Sequence, residues 1–465
     1  MLGKTEVPVV SCGRSHSIEF FFGTTLGPKV SLACLVLTLL ILQIPARATV
    51  ATSRSEVVLE ESASQVLTGL RPSVVKIVNV STASGSETAS GTGFVAGGGN
   101  LVVTNYHVVS DIALRPRQFR LEYLGNDGSR GSLQIVAMDV ANDLALVRLD
   151  KPLVGATPIP IAQRKPDKGE TVLSVGYPLE KGLTIVSGAY NGRAEDYFQE
   201  LIHYSGAVNS GMSGGPAVDL RGNLVGVNVA VTRNAQLVSL LVPANKVQEL
   251  LSRTPVKDTT APDYWRLEVG RQLHQHSDVI LDALAKRKMP TRKFDSYTSV
   301  DIEPLGFKCN GIQENASGKY QREMNGRVCR TGSGVYVDGN TYLGYADFYT
   351  GIRTNKGINA FRFAEVRRLS LDYIRIKTIE DDPDKNKTGY ECTEGIVKVN
   401  NFRAKTVACL RRDYRFEDLY DMTFILHSIE SDVQSMQLRV EMRGMPYAGT
   451  QSIIKRAIEG VSWSR

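Results

Sequence analysis

Short apolar runs dominate the chain from Pro72 to about Leu251. They are four to eight residues long, rich in Val and Ile, and bounded by Gly, Asn or Asp, which is typical of β-strands. No helical period is recognisable here before Asn245–Ser252. The pattern predicts an all-β domain of barrel or sandwich type over residues 60–252. The clearest runs are Val74–Val80, Gly93–Ala96, Leu101–Thr104, Leu133–Ala137, Leu144–Leu149, Thr171–Val175 and Leu224–Val231.

The remaining C-terminal part begins with a polar segment bracketed by prolines, Thr254–Pro262, which predicts a linker over residues 253–262. After it, apolar residues recur at steps of three or four, with one longer interval, at Trp265, Val269, Leu273, Ile280 and Leu284. This period predicts an amphipathic helix to about Lys288. Alternation then indicates strands, as in Met436–Met442. Residues 263–465 are thus predicted to form a second β-rich domain entered through a helix, with few contacts to the first.

The N-terminal segment reads as a targeting signal. Val30–Ile44 is an uncharged stretch of 15 residues after Lys29, followed by Ala46 and Ala48 in the spacing of a signal-peptidase site. Such a stretch makes about 22 Å of helix, against a hydrocarbon core of roughly 30 Å. A cleaved signal peptide over residues 1–48 is therefore favoured, and an uncleaved membrane anchor is the alternative. Both the signal peptide and the anchor predict an exported protein, which is periplasmic, secreted or anchored at the inner membrane.

Four cysteines follow the targeting segment, Cys309, Cys329, Cys392 and Cys409. An even number in an exported chain favours disulfides, and the two similar spacings favour the local pairs Cys309–Cys329 and Cys392–Cys409. A zinc site of four thiolates is the alternative, although the C-x-x-C pairs of zinc ribbons are missing. The echo of Gly306–Cys309 in Gly389–Cys392 suggests a duplicated β unit.

Charge and histidine spacing exclude some partners. The formal net charge is +7, from 55 basic and 48 acidic residues, without a basic stripe, so nucleic acid is not predicted as a partner. On a helix, His274 and His276 point about 200° apart, so they cannot share a metal ion and are expected on a solvated face. No metal and no cofactor are predicted.

Three segments of the β domain carry candidate chemistry. His107 lies in VTNYHVV at the end of an apolar run, Asp143 opens the run NDLALVR, and Ser213 lies in the glycine-rich NSGMSGGP. Serine attack on an acyl carbon needs a base, a carboxylate that orients the base, and N–H groups aimed at the oxyanion. Glycines around Ser213 let the amides of Gly211 and Ser213 converge. The three segments together favour a hydrolase that uses a serine nucleophile.

These segments resemble the chymotrypsin-fold serine proteases, and most of all the HtrA/Deg family of bacterial envelope proteases. The likeness includes RPSVVKI from Arg71 and GTGF from Gly91, and it continues through GVNV from Gly226 and LVPANKV from Leu241. It spans about residues 60–252. The resemblance implies a double six-stranded β-barrel and a serine endopeptidase that acts on protein or peptide substrates, in the envelope or secreted.

The same resemblance assigns roles to individual residues. It implies His107 as the general base, Asp143 as the orienting carboxylate and Ser213 as the nucleophile, with an oxyanion hole formed by the amides of Gly211 and Ser213. Ala207 matches the base of the primary specificity pocket, where an uncharged small side chain favours small apolar substrate residues over Lys or Arg. The strand expected to pair with the substrate backbone is formed by Asn228, Val229 and Ala230.

The chain also departs from that family. Met212 stands where Asn or Asp is common, so it is expected to alter the pocket rim. No PDZ module is recognisable after Leu251, so the cage assembly of that family is not expected for this chain. A homo-oligomer of another kind is an alternative. The motif G-x-S-x-G also fits the α/β-hydrolases, but the residues after Ser213 indicate strands, not a helix. The remaining alternative is a protease fold without activity that serves as a binding module.

Overall fold

The computed structural model describes residues 54–98, 100–195, 199–231, 238–253, 263–286, 288–316, 322–332, 334–339, 341–355, 357–368 and 385–464. The targeting segment over residues 1–48 and all of the predicted linker except Arg253 lie outside these ranges. Within these ranges, no helix is both long and apolar enough to cross a membrane. Val57–Arg465 forms one compact unit.

Two closed barrels of six strands each follow one another, which confirms the predicted double six-stranded β-barrel. The first barrel has the strand order β1-β2-β3-β6-β5-β4, and the second has the order β10-β11-β12-β9-β8-β7. The first contains β1 (Val74–Ser81), β2 (Glu87–Val95), β3 (Leu101–Thr104), β4 (Phe119–Leu124), β5 (Arg130–Asp139) and β6 (Leu144–Leu149). The second contains β7 (Thr171–Gly176), β8 (Thr184–Arg193), β9 (Ile202–Tyr204), β10 (Pro216–Val218), β11 (Leu224–Val231) and β12 (Ser239–Pro243).

In the described residues, three α-helices accompany the barrels, α1 (Arg54–Leu70), α2 (Tyr106–Leu114) and α3 (Ala244–Leu251). The expectation of no helix between Pro72 and residue 245 is wrong for α2, whereas α1 precedes that range. The nine residues of α2 include five buried ones, so they lack the polar face that makes a helical period visible. The segment around His107 therefore reads as the end of a strand, whereas the helix begins at Tyr106.

The C-terminal part is β-rich and entered through a helix, as the sequence predicts. A seven-stranded sheet has the order β15-β16-β19-β23-β22-β21-β20, beside a three-stranded sheet β13-β14-β24 and the hairpin β17-β18. Its helices are α4 (Tyr264–Ala285), α5 (360–368) and α6 (Tyr447–Glu459). Its strands are β13 (Thr291–Phe294), β14 (Tyr297–Val300), β15 (Lys308–Ala316), β16 (Arg322–Arg330), β17 (Val335–Asp338), β18 (Thr341–Leu343), β19 (Tyr345–Asn355), β20 (Glu391–Val399), β21 (Phe402–Arg412), β22 (Leu419–Ser428), β23 (Gln434–Pro446) and β24 (Ser462–Trp463).

Both local cysteine pairs are bonded in this sheet. Cys309 faces Cys329 across β15 and β16, and Cys392 faces Cys409 across β20 and β21. Each disulfide therefore joins directly opposite residues of one antiparallel hairpin, where Cα atoms come close enough for a bond. The two hairpins that echo each other in sequence form the two edges of a single sheet. Asp301 lies beside the first pair, but bonded cysteines offer a metal ion no thiolate.

The C-terminal part shares a hydrophobic core with the first barrel. Val269 and Leu273 of α4 pack in one cluster with residues of the first barrel, whereas Ile280 and Leu284 of the same helix pack against the seven-stranded sheet. The expectation of few contacts is therefore wrong. The sequence shows one apolar stripe on α4. It does not show that one half of the stripe packs on the first barrel and the other half on the seven-stranded sheet.

His276 is the other correction on this helix. It is 8% exposed, and its Nε2 donates a hydrogen bond to the carbonyl oxygen of Gly344 at 3.1 Å, so it does not lie on a solvated face. Burial lowers the pKa of His276, and the bond to Gly344 opposes this lowering only in part. The side chain is thus a neutral, packed part of the fold.

Candidate active site

Asp143 holds His107 at two points. The backbone N–H of His107 donates to Asp143 Oδ1 at 2.8 Å, and the ring Nδ1 donates to Asp143 Oδ2 at 2.7 Å. A carboxylate only accepts hydrogen bonds, so this contact places the proton of the neutral ring on Nδ1 and leaves Nε2 as an acceptor. The side chains of His107 and Asp143 are 26% and 18% exposed, and substrate could therefore reach the pair.

The backbone of Asp143 explains how the carboxylate reaches the helix. Its φ of 52° lies in the left-handed region, which Asp adopts more readily than most residues. Its carbonyl oxygen accepts hydrogen bonds from the N–H of Tyr106 at 3.1 Å and from Nδ2 of Asn105 at 2.8 Å. The turn before β6 thus faces the N-terminus of α2 with both backbone and side chain. A negative charge is favourable there because the first N–H groups of a helix are unpaired.

This contact also sets the protonation of the ring. Burial lowers the pKa of His107, but the negative charge of Asp143 and the hydrogen bond to it together raise the pKa by more. The net result is a pKa above the ordinary histidine value. The imidazole is consequently a stronger base than a free histidine.

The loop that carries Ser213 is bonded to the first barrel. The N–H of Thr92 donates to the carbonyl oxygen of Ser213 at 2.8 Å, and Thr92 Oγ1 donates to that of Gly211 at 2.7 Å. Gly214, with a φ of 82°, lies so close to Thr104 and Asn105 that a Cβ atom would overlap them. Because Asn105 directly precedes α2, this close approach places Ser213 beside the helix of His107.

The hydroxyl of Ser213 points to β11 in this structure. It donates to the carbonyl oxygen of Val229 at 3.0 Å, and the described contacts of Ser213 do not include a hydrogen bond to His107. Val229 lies at a β-bulge between Asn228 and Ala230, which leaves it outside the ladder with β12. Its carbonyl is therefore accessible to the hydroxyl. The hydroxyl of Ser213 is thus bound to β11 in this structure.

The two amides predicted to hold an oxyanion are unpaired. In the described part of the chain, neither the N–H of Gly211 nor that of Ser213 has a hydrogen-bond acceptor. Gly211 has a φ of 91°, and a Cβ atom there would overlap the carbonyl oxygen of Tyr177. Only glycine fits this turn, and the turn leaves two N–H groups free on one loop.

The predicted substrate residues separate into different roles. Ala207 is exposed, and Ala230 of β11 pairs with Leu240 of β12. Asn228 is fully buried, and its N–H donates to the carbonyl oxygen of Gly215 at 2.9 Å, so this N–H is not available to a substrate. Its side chain accepts from Ser174 Oγ at 2.8 Å and donates to the Met212 carbonyl oxygen at 3.3 Å. Asn228 thus supports the serine loop, which corrects the expectation that it pairs with substrate.

Met212 does not lie at the pocket rim. Its side chain is fully buried in the core of the second barrel, where it packs in one cluster with Tyr204 and Val208. The loop turns Met212 inward while Ser213 stays partly exposed. An apolar side chain at this position therefore anchors the loop through core packing.

Sequence reasoning missed two residues of this site. Thr92 binds the serine loop, and its place in the motif GTGF is a signal that could have indicated it. Tyr336, in β17, packs its ring against His107 with the centroids 5.7 Å apart and the planes at 73°. No pattern near Tyr336 indicates this contact, because it depends on how the C-terminal part packs on the first barrel.

Comparison with known proteins agrees with the geometry. Residues 91–227 match the family model described as "Trypsin-like peptidase domain". This part of the chain is thus similar to a trypsin-like peptidase domain. The domain is similar to "Serine protease HTRA1" of Xenopus tropicalis, with 32% identity over 37% of this chain and 37% of that protein. It is also similar to a "Probable periplasmic serine endoprotease DegP-like" of Brucella suis, with 33% identity over 31% of this chain and 28% of that protein.

The likeness is confined to a part of each relative. The chain covers little more than a third of the length of the frog protein and less of the bacterial one. A solved serine endoprotease from Yersinia pestis has 23% identity over 41% of this chain and 65% of its own, with a TM-score of 0.36.

Proposed function

We propose that this chain is a serine endopeptidase whose nucleophile is Ser213, whose general base is His107 and whose orienting carboxylate is Asp143. The observation that carries the proposal is the two-point contact of Asp143 with His107, at 2.8 and 2.7 Å, beside the loop of Ser213. The relatives named as a serine protease and a serine endoprotease support the same reaction class.

The reaction starts when Ser213 Oγ turns from Val229 to Nε2 of His107. As Oγ bonds to the substrate carbonyl carbon, its proton passes to Nε2, and Asp143 stabilises the imidazolium that forms. The carbonyl oxygen becomes an oxyanion, which accepts hydrogen bonds from the amides of Gly211 and Ser213. The C–N bond then breaks, and Nε2 gives its proton to the leaving amine. Water repeats the same steps on the acyl-enzyme, which releases the acid and restores Ser213.

The carbonyl group of Val229 connects substrate binding with the rotation of the Ser213 hydroxyl. Its carbonyl oxygen accepts the Ser213 hydroxyl in the free protein. A substrate N–H that pairs with the same carbonyl competes for that acceptor. Substrate bound along β11 would thereby favour rotation of the hydroxyl towards His107.

The side chain before the scissile bond is proposed to be small and apolar. Ala207 offers no carboxylate, and burial of an unpaired ammonium is costly. In cleavage-site profiling, we expect substrates with Ala or Val before the scissile bond to be cleaved faster than those with Lys or Arg. A profile dominated by Lys or Arg would contradict this assignment and imply an acid from elsewhere in the chain.

The proposed substrates are envelope or secreted proteins, and the predicted export segment and the relative named as periplasmic support this proposal. Fractionation of cells that express the full chain tests this placement. Most of the protein is expected outside the cytoplasm. Full-length protein that remains in the cytoplasm would contradict the proposal.

The serine assignment is tested by hydrolysis of an unfolded protein substrate. Ser213→Ala should lower the rate by several orders of magnitude, because loss of the nucleophile removes covalent catalysis. Ser210→Ala is the matched control, since Ser210 is exposed on the same loop. Wild-type rates for a folded Ser213→Ala protein would refute the assignment.

A further inference from the structure

The C-terminal part borders the candidate active site through one hairpin, β17-β18. Val335, Val337 and Leu343 of this hairpin are almost fully buried in the core that the first barrel shares. The hydroxyl of Tyr106 donates to the carbonyl oxygen of Val337 at 3.1 Å. Since Tyr106 is the first residue of α2 and His107 the second, the hairpin is bonded to the turn of helix that carries the histidine.

Tyr336 lies between the two buried valines of β17 and is only partly buried. Its ring meets His107 edge to face, with centroids 5.7 Å apart, and meets Tyr106 in the same way at 6.4 Å. Tyr342 of β18 packs against Tyr336 at 5.7 Å. The ring thus has three aromatic neighbours, of which one is the imidazole.

Buried ion pairs hold the hairpin in place. Arg415 binds Asp338 at the end of β17 at 2.9 Å and Asp413 at 2.7 Å. The side chains of Arg415, Asp338 and Asp413 are 11%, 13% and 2% exposed. On the other side, Gln199 from the second barrel donates to the carbonyl oxygen of Gly334 at 3.4 Å. The position of Tyr336 is therefore fixed by contacts that do not depend on His107.

We propose that Tyr336 is a positioning residue for His107, and that hairpin β17-β18 of the C-terminal part completes the active site of the protease domain. Asp143 holds the ring at Nδ1, and Tyr336 packs against it from a separate element. The two contacts together restrict how the imidazole can turn. The role in catalysis rests on the proposed function, whereas the contact between the rings does not.

The contact between Tyr336 and His107 affects the rate of proton transfer because it helps to position the imidazole. Proton transfer requires Nε2 within hydrogen-bond reach of Ser213 Oγ, at about 2.6–3.2 Å. A displacement on the order of 1 Å can cost about 100-fold in rate. Removal of the Tyr336 ring should therefore lower kcat and change KM little, since the ring acts through His107.

Removal of the ring should also change the titration of His107. The negative charge of Asp143 raises the pKa of His107. The negative charges of Asp338, Asp111 and Asp143 raise the pKa of Tyr336. Burial raises the pKa of Tyr336 to about 12, so its phenol is neutral at working pH. Burial is also the largest influence on His107, where it lowers the pKa. Loss of the ring admits water and weakens this lowering, so the pKa of His107 should rise further.

The experiment compares Tyr336→Ala, Tyr336→Leu and Tyr336→Phe with the wild-type full chain. The pKa of His107 is measured by NMR titration of histidine labelled with 15N, in which His107→Ala identifies the resonance. Hydrolysis is measured over the same pH range. Tyr414→Ala is the matched control, because Tyr414 is 64% exposed. Thermal melting checks that each variant is folded.

For Tyr336→Ala we expect a higher pKa of His107, an acid limb of activity at higher pH and a kcat about 10- to 100-fold lower. Tyr336→Phe should stay within about twofold of wild type, because it keeps the ring. If Tyr336→Ala does not fold, Tyr336→Leu serves the same comparison, since it keeps apolar bulk without a planar ring.

Two results would overturn the proposal. One is a folded Tyr336→Ala or Tyr336→Leu protein with the pKa of His107 and the kcat of wild type. The other is a Tyr336→Phe protein as impaired as Tyr336→Ala, because the hydroxyl would then matter and the ring would not. A shifted pKa in a chain whose wild type hydrolyses nothing would instead refute the proposed function and leave the contact supported.

Discussion

Asp143 determines both the orientation and the basicity of His107. One carboxylate oxygen accepts the backbone N–H and the other accepts Nδ1, so the ring cannot turn without loss of a charge-assisted hydrogen bond. The same carboxylate raises the pKa of His107 against the effect of burial. Since the base works only when deprotonated, the acid limb of activity should lie above the ordinary histidine pKa.

Replacement of Asp143 by Asn separates these two effects. The amide is nearly the same size, but its NH2 group can donate to Nδ1 and so favour the tautomer with the proton on Nε2. A base that already carries a proton on Nε2 cannot accept one from Ser213. We expect kcat to fall by about 10⁴-fold, measured on a peptide substrate.

The residual activity of Asp143→Asn should have its acid limb at lower pH than wild type. Loss of the negative charge removes what raises the pKa of His107, while burial still lowers it. A pH–rate profile of the residual activity measures this shift. An acid limb at unchanged or higher pH would contradict the assignment of His107 as the titrating base.

At the scale of elements, the sequence predicts strands well and the helix of the active site poorly. The sequence predicts Leu101–Thr104 and Leu144–Leu149 with the bounds they have, because short apolar runs between turn residues are typical of strands. The helix α2 was missed because its buried positions hide its period. Asn228 was misassigned, since its motif could be recognised but the partners of its buried side chain could not.

The helix α4 offers a test of the shared core. Leu273 is fully buried, whereas Leu267 on the same helix is 63% exposed. Leu273→Ala should reduce the free energy of unfolding by about 2–5 kcal/mol, which is typical of a core cavity. Leu267→Ala controls for helix propensity and should change it by less than about 0.5 kcal/mol. Denaturant unfolding measures both.

Because Leu273 packs in one cluster with residues of the first barrel, Leu273→Ala should also destabilise that barrel. Hydrogen exchange of the α2 amides reports this directly, because α2 packs in the same cluster as Leu273. Faster exchange in α2 is the expected result. Unchanged exchange there, with faster exchange confined to residues after 263, would show that the two parts fold separately.

Removal of one disulfide tests how much it stabilises an edge of the seven-stranded sheet. The variant Cys392→Ala with Cys409→Ala opens a loop with a sequence separation of 17. In the chain-entropy model, such a loop contributes about 3 kcal/mol. The Tm from calorimetry should fall relative to the oxidised wild type. An unchanged Tm would show that hairpin β20-β21 does not need its disulfide.

For the whole molecule, the packing of the C-terminal part is what the sequence could not indicate. The polar segment before residue 263 suggested separate domains, yet Val57–Arg465 is one compact unit. Tyr336 approaches His107 only because β17 and α4 pack on the first barrel. Contacts between residues so distant in sequence leave no local pattern. The residues of the proposed triad, by contrast, lie in short motifs that are recognisable when all three are considered together.

Covalent labelling tests whether Ser213 is a nucleophile that His107 activates. The full chain is treated with a fluorophosphonate, and the modified residue is identified by peptide mass spectrometry. We expect one adduct, on Ser213, that forms in wild type and Ser210→Ala and is lost in His107→Ala. A folded wild-type chain without an adduct, or an adduct on Ser213 that forms equally fast in His107→Ala, would contradict it.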